Sequence, residues 1–391
     1  MRIEIVFLGL CVSLTAHAQS VLYAEKFAGA DAGEKISRCI AALPSTGGIC
    51  DARNFSGEQR ASAGFTVGGT GKPVELMLGS ITLNVSQGVH VQAKSSIVGM
   101  PSSSGIGSDQ GATVIKAADN SGLRAVVQIE GALAVLQDLT IDGNKKAGHG
   151  SGETLRVERA NRVQLFRVTV QNSPGDGIAI VSAGKQESCC AKLENVMAIA
   201  NARAGLHIIN SNDVFIVLSE FENNGGNGIE VESSSAMRLE QSDIGGNQAH
   251  GVNIHGSAAQ PASNLIITGN QFGNNYQTDI NISGSNGRYS SIGNTISSNQ
   301  FLGGAYRASG KYDAVQIVDS AYNVIASNSF FANHANSYRF CVNISGGLKK
   351  PDQVINNFCQ AAEAGGSGAF IGTSTTVFSG NQGETRTQAS H

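Results

Sequence analysis

Four short segments of this chain repeat one pattern of apolar and polar positions: Gly177-Ile178-Ala179-Ile180, Gly205-Leu206-His207-Ile208, Gly228-Ile229-Glu230-Val231 and Gly251-Val252-Asn253-Ile254. Their glycines are 28, 23 and 23 residues apart. The same frame continues without its glycine in Ile280-Asn281-Ile282, Val315-Gln316-Ile317 and Val342-Asn343-Ile344, and it appears upstream in Leu155-Arg156-Val157. Alternation of this kind is the period of a β-strand with one face buried. A second short strand follows each segment, as in Val214–Val217 and Asn264–Ile267. Runs with helical period are missing after about residue 45. A repeat of strands and turns alone cannot bury its apolar face, so successive repeats must stack. The pattern predicts a single all-β domain over 19–382, a right-handed parallel β-helix whose strands lie about 4.8 Å apart.

Asn201, Asn224, Asn247 and Asn275 each stand four residues before a strand opening. Asparagine tolerates the left-handed conformation and bonds its own backbone, so one per coil predicts a stacked ladder at the turns. An open solenoid end exposes unpaired edges and must be capped. Ile36, Ile40 and Leu43 have helical spacing and predict a capping helix within about 25–45. The polar residues 383–391 read as a disordered tail.

Export is expected from the first 18 residues. Arg2, the apolar run from Ile5 to Leu14 and Ala16-His17-Ala18 have the layout of a signal peptide with its cleavage site. No other run is long enough to span a bilayer, so no membrane insertion is expected and the product is placed in the periplasm or outside the cell. In an oxidising compartment the economical pairing is Cys39–Cys50 and Cys341–Cys359, with Cys189 and Cys190 either bonded to each other or reduced. Zinc is disfavoured because no Cys pair of ligand spacing lies near another or near paired histidines. The net charge of −3 leaves no basic footprint for nucleic acid.

Phe27-Ala28-Gly29-Ala30-Asp31-Ala32-Gly33 before a helix resembles the opening of pectate-lyase-superfamily β-helix proteins. Leu139-Thr140-Ile141-Asp142-Gly143-Asn144 and Asn172-Ser173-Pro174-Gly175-Asp176-Gly177-Ile178 are similar to that superfamily's coil motifs. The resemblance implies the β-helix fold and a polysaccharide partner. Its members include lyases, hydrolases, uronate epimerases, tailspikes and coils without chemistry, and fold alone does not choose among them. The hydrolases' active-site motifs do not carry over. Gly148-His149-Gly150 stands before the coils where that motif belongs, and no adjacent Asp pair accompanies it.

Stacking the strands by their alternation places an outward column Arg156, Ala179, His207, Glu230, Asn253, Asn281, Gln316, Asn343, with Glu158, Val181, Ile209, Glu232, His255 and Ser283 beside it. Asp176, Asn227 and His250 precede the strands. The candidate catalytic residues are therefore His207, Glu230, Glu232 and His250, with Arg203, Asn253, His255, Tyr276 and Tyr312 as substrate-binding candidates. Elimination from a uronate needs a base, a partner for the carboxylate and an acid for the leaving oxygen; His207 or His250, Arg203 and Asn253 supply those groups. Hydrolysis needs two carboxyls about 5 Å or roughly 6.5–9.5 Å apart, and Glu230 and Glu232 are of that order. The alternative is a noncatalytic glycan-binding or envelope-structural rod, on which the polar column is an ordinary solvated sheet face. Tyr276, Tyr289, Tyr306, Tyr312 and Tyr322 either form a glycan subsite or pack the longer loops. No cofactor is expected, calcium at the turns with Asp138, Asp142 and Asp176 being the one alternative.

Overall fold

The computed structural model describes residues 20–387 except 70, 102–110, 148–151, 183–187, 257–259, 285–290, 307, 332–337, 347–349 and 361–368. The expected signal peptide, Gly148-His149-Gly150, Tyr289 and residues 388–391 lie outside the described residues. Strands stack in parallel from coil to coil in two extensive sheets. One has thirteen strands, running along the axis from Phe65–Val67 to Glu384–Thr387, and is called the front sheet below. The other carries the two remaining faces of the winding. At about 4.8 Å per strand the front sheet is roughly 60 Å long.

Alternation dictates which side chains go inside. Ile178 and Ile180, Leu206 and Ile208, Ile229 and Val231, and Val252 and Ile254 are fully buried on consecutive front strands. On the opposite wall Phe272, Phe301 and Phe330 stack with ring centroids 5.0 and 4.6 Å apart. Most coils have one strand more than the pattern showed, although Val135–Asp142 and Gln164–Gln171 each run through as one strand. After Phe215–Val217 comes Glu220–Glu222, separated by Leu218 and Ser219 alone. Leu218 has φ 52°, so this corner carries no glycine or proline signal.

The asparagine ladder is present, with a different division of labour. Asn201 Nδ2 donates to Asn224 Oδ1, Asn224 to Asn247 and Asn247 to Asn275, at 3.0, 3.0 and 2.9 Å. These four are buried, and it is their predecessors Ala200, Asn223, Gly246 and Asn274 that take positive φ. The ladder asparagines are therefore not the left-handed residues; they satisfy backbone groups that the sharp corner turns inward. A second ladder, Asn270-Asn299-Asn328-Asn357-Asn381, runs at the Leu218-type corner.

The first ladder ends on a buried acid. Asn275 Nδ2 donates to Asp279 Oδ1 at 2.7 Å, and the Tyr338 hydroxyl lies 2.6 Å from Oδ2. Burial pushes the Asp279 carboxyl up to about 7, against the opposing effect of these hydrogen bonds.

The cap is helix α1, Ala32–Ala42, with Ile36, Cys39 and Ile40 buried. Asp31 accepts from Glu34 N at 2.9 Å while Ala30 N donates back to Glu34, a reciprocal N-terminal cap. Disulfides join Cys39 to Cys50, Cys341 to Cys359, and Cys189 to Cys190. Within the segment expected to be a disordered tail, Glu384–Thr387 instead pairs with Ala369–Gly372 as the last front strand. The parallel edge left open by Ala369–Gly372 is a template that any following extended residues can occupy.

Two outcomes check this account. Asn224→Ala removes a buried donor and acceptor in mid-ladder and should cost about 2–4 kcal/mol in urea unfolding. Asp279 ionises near 3.8 when unfolded but only near 7 when folded, so its contribution to stability is complete below about pH 4 and is lost as pH rises through 7. Asp279→Asn should therefore gain on the wild type by up to about 1.4 kcal/mol per pH unit across that window. An unchanged difference in urea midpoint between pH 4 and 8 would contradict it.

Candidate functional site

The expected register is the observed one. Arg156 pairs with Ala179, Ala179 with His207, His207 with Glu230, Glu230 with Asn253 and Asn253 with Asn281. Ile209, Glu232, His255 and Ser283 form the neighbouring row. His207, Glu230, Glu232, Asn253 and His255 thus share the outer face of three consecutive strands. Arg203 and His250 enter from the turns just before them.

Two hydrogen-bonded groups make up the site. In the first, His207 Nδ1 lies 3.2 Å from Asp176 Oδ2, and Asp176 also accepts from Arg203 Nη2 at 3.1 Å and from Ala204 N at 3.0 Å. Because a carboxylate accepts, Nδ1 carries a proton. Burial alone would push the His207 imidazolium down, but its bond to Asp176, with the charges of Asp176, Glu230 and Glu232, outweighs burial and holds it above the ordinary histidine value. Asp176 is likewise opposed by burial, yet its bond to His207 keeps it below the usual carboxylate range. His207 Nε2 is buried and makes no hydrogen bond; Glu232 Oε2 stands 3.5 Å away.

In the second group, Glu230 accepts from three side chains: Asn253 Nδ2 at 2.8 Å, His255 Nε2 at 2.7 Å, and Asn227 Nδ2. Asn281 Nδ2 donates to Asn253 Oδ1 at 2.7 Å and fixes the Asn253 amide. The bond to Glu230 raises His255 above the ordinary value, burial opposing it. His250 behaves in the opposite way. Burial lowers it, and its Nδ1 lies 3.2 Å from the Thr278 carbonyl oxygen. A carbonyl only accepts, so Nδ1 is the protonated nitrogen and the lone pair of neutral His250 resides on Nε2.

The face therefore holds one imidazole displaced towards its protonated form and another displaced towards its neutral form, two coils or about 10 Å apart along the axis. Groups pushed apart in this way are what paired acid and base roles require. The expected carboxylate pair is not equivalent: Glu230 has both oxygens engaged, while Glu232 is 43% exposed.

Tyr276 and Tyr312 part from the histidines and from each other. Tyr276 follows the ladder residue Asn275, and the corner turns it onto the neighbouring face, where it stacks on Tyr306 with centroids 5.8 Å apart. Tyr312 stays on the front side, two coils beyond Asn253, with its carbonyl bonded by Arg339 N at 2.7 Å and Lys311 over its ring. Asp176 and Asn227 were legible only as turn residues, since nothing local marks the partner each meets one coil away. Asp138, Asp142 and Asp176 engage their carboxylates with Arg167, with Gln171 and Asn172, and with His207 and Arg203. Among the described residues no group of three acidic, histidine or cysteine side chains is placed to hold a metal ion.

Comparison with known proteins agrees with this winding. A family model described as right handed beta helix region matches residues 153–330. No curated protein matches the chain in sequence. Among solved structures, the N-terminal fragment of bacteriophage Phi29 gene product 12 superposes with TM-score 0.65 at 15% identity, over 78% of this chain and 60% of that one. This chain thus spans less than two thirds of that fragment. The A-module of an Azotobacter vinelandii mannuronan C-5 epimerase gives 0.58 at 15% identity, over 94% of this chain and all of that module. A DFA-IIIase from Arthrobacter chlorophenolicus, without its lid, gives 0.56 at 9% identity, over 88% of this chain and 96% of that one. The chain is a right-handed parallel β-helix protein, as its resemblance to the pectate-lyase superfamily implied. Among the described residues no helix is long and apolar enough to cross a membrane.

Asp176→Asn removes the charge that opposes burial at His207. The His207 pKa, followed by the pH dependence of its imidazole NMR shifts, should fall. His255, held by Glu230, should not move.

Proposed function

We propose that this chain is an exported enzyme that acts on a uronate-containing polysaccharide by proton abstraction beside the sugar carboxylate, in the manner of a lyase. His250 is the base and His207 the acid. The observation that carries this reading is the pair of oppositely displaced imidazoles on one face: burial pushes His250 down while its bond to the Thr278 carbonyl leaves the lone pair on Nε2, and His207, against burial, is held up by its bond to Asp176. His250 Nε2 takes the proton from the carbon next to the carboxylate, and the electron pair moves into an enolate. Arg203, more than half exposed and anchored through Asp176, faces the carboxylate, and the amide of Asn253 stabilises the enolate charge. The pair then returns to form the double bond, the bond to the leaving oxygen breaks, and His207 Nε2, buried with Glu232 Oε2 3.5 Å away until substrate displaces that exposed side chain, donates its proton to that oxygen.

Hydrolysis is less well supported, because it needs two available carboxyl groups and Glu230 is held by three donors. The similarity to a mannuronan C-5 epimerase module supports a uronate substrate for a winding of this length. The three disulfides and the N-terminal signal pattern support export to the periplasm or beyond.

Incubation with a panel of uronate polymers, with detection of the unsaturated product by its ultraviolet absorbance, tests the proposal. Turnover should fall at least about 100-fold in His207→Ala and in His250→Ala proteins that stay folded. Activity should rise with pH as His250, displaced downward, loses its proton, and fall as His207, displaced upward, loses its own. Asp176→Asn should move the falling limb towards acid. Retention of the polymer without product, indifferent to both substitutions, would instead identify a noncatalytic glycan-binding rod.

A further inference from the structure

Around the corner from the histidines, the face made by Glu220–Glu222, Asp243–Gly245, Gln271–Gly273 and Gln300–Leu302 has a hollow of its own. Its outward positions form two rows along the axis. One row reads Glu220, Asp243, Gln271, Gln300; the other reads Glu222, Gly245, Gly273, Leu302. Gly245 and Gly273 remove side chains from consecutive coils, leaving a trough about 10 Å long between Glu222 and Leu302. Tyr276 and Tyr306 stand at its side on consecutive coils, their rings 14° from parallel, with Tyr306 half exposed. The hollow encloses about 400 Å³.

We propose that this trough is a second carbohydrate site, separate from the histidine face, that holds two linked sugar residues of a neutral glycan. The tyrosine pair supplies a stiff aromatic surface for the C–H face of a sugar ring, each ring holding the other in place. The glycine floor lets a ring lie against the backbone. The opposite row offers hydroxyl-bonding groups at strand spacing: carboxylates that accept strongly, and Gln271, whose amide reaches Asp243 at 3.4 Å. Glu220, Glu222 and Asp243 have no cation beside them among the described residues; burial pushes all three carboxyls up, and Asp243 repels the two glutamates further. Sugar hydroxyls relieve that burial by donating hydrogen bonds, whereas a uronate adds a like charge. The site therefore selects against the polymer proposed for the histidine face, and its occupant is a different chain or a neutral stretch of a mixed one.

Isothermal titration of the full chain with neutral hexasaccharides of glucose, mannose, galactose, xylose and N-acetylglucosamine, and with a mannuronate hexasaccharide, tests the assignment. At least one neutral hexasaccharide should bind with Kd at or below about 1 mM. Gly273→Leu should weaken it at least about tenfold by filling the trough. That variant is expected to fold, because a side chain at Gly273 first meets Leu302 O at 3.6 Å and the backbone there is not left-handed. Tyr276→Ala combined with Tyr306→Ala, a change on the opposite wall, should also weaken binding about tenfold. His207→Ala and His250→Ala should leave it unchanged, which separates this result from any outcome of the turnover assay. Absence of binding by every neutral hexasaccharide, binding indifferent to both trough variants, loss of binding in the histidine variants, or preference of the trough for mannuronate would each overturn the proposal.

Discussion

Parallel stacking of one coil on the next is the constraint from which everything else in this molecule follows. A coil has no core of its own; its isoleucines, valines and phenylalanines are covered only by the coils on either side. Backbone hydrogen bonds between coils then hold each residue opposite its counterpart. A slip of one position would turn the apolar row outward, so the burial of one face locks the register of the other. The corners obey the same rule, since a side-chain amide buried at one turn finds its partner at the next.

Such a scaffold makes a row of outward side chains a linear array at strand spacing, and chemistry arises where neighbouring positions carry complementary groups. On the front face Asp176 and His207, and Glu230 with Asn253 and His255, are pairs of that kind, each partner one coil from the other. Their geometry rests on the backbone ladder rather than on loops. That rigidity suits the acid and base roles proposed for His207 and His250. The flanking corner separates this array from the glycine trough and tyrosine pair on the next face. One winding therefore presents two faces of different chemistry.

Alternation and period, both local properties, determined the strands, the stacking, the ladder positions, the capping helix and the row that aligns His207 with Glu230 and Asn253. In a β-helix a strand position has only two directions, in or out, and the stacking neighbour is one period away. The direction of each imidazole's displacement, the Glu230 oxygens being fully engaged, the third strand behind Leu218, and the turning of Tyr276 away from the histidines were decided by the tertiary structure. Each depends on where a side chain points beyond its strand and on what another coil brings against it, and those distances in space have no fixed counterpart in distances along the chain.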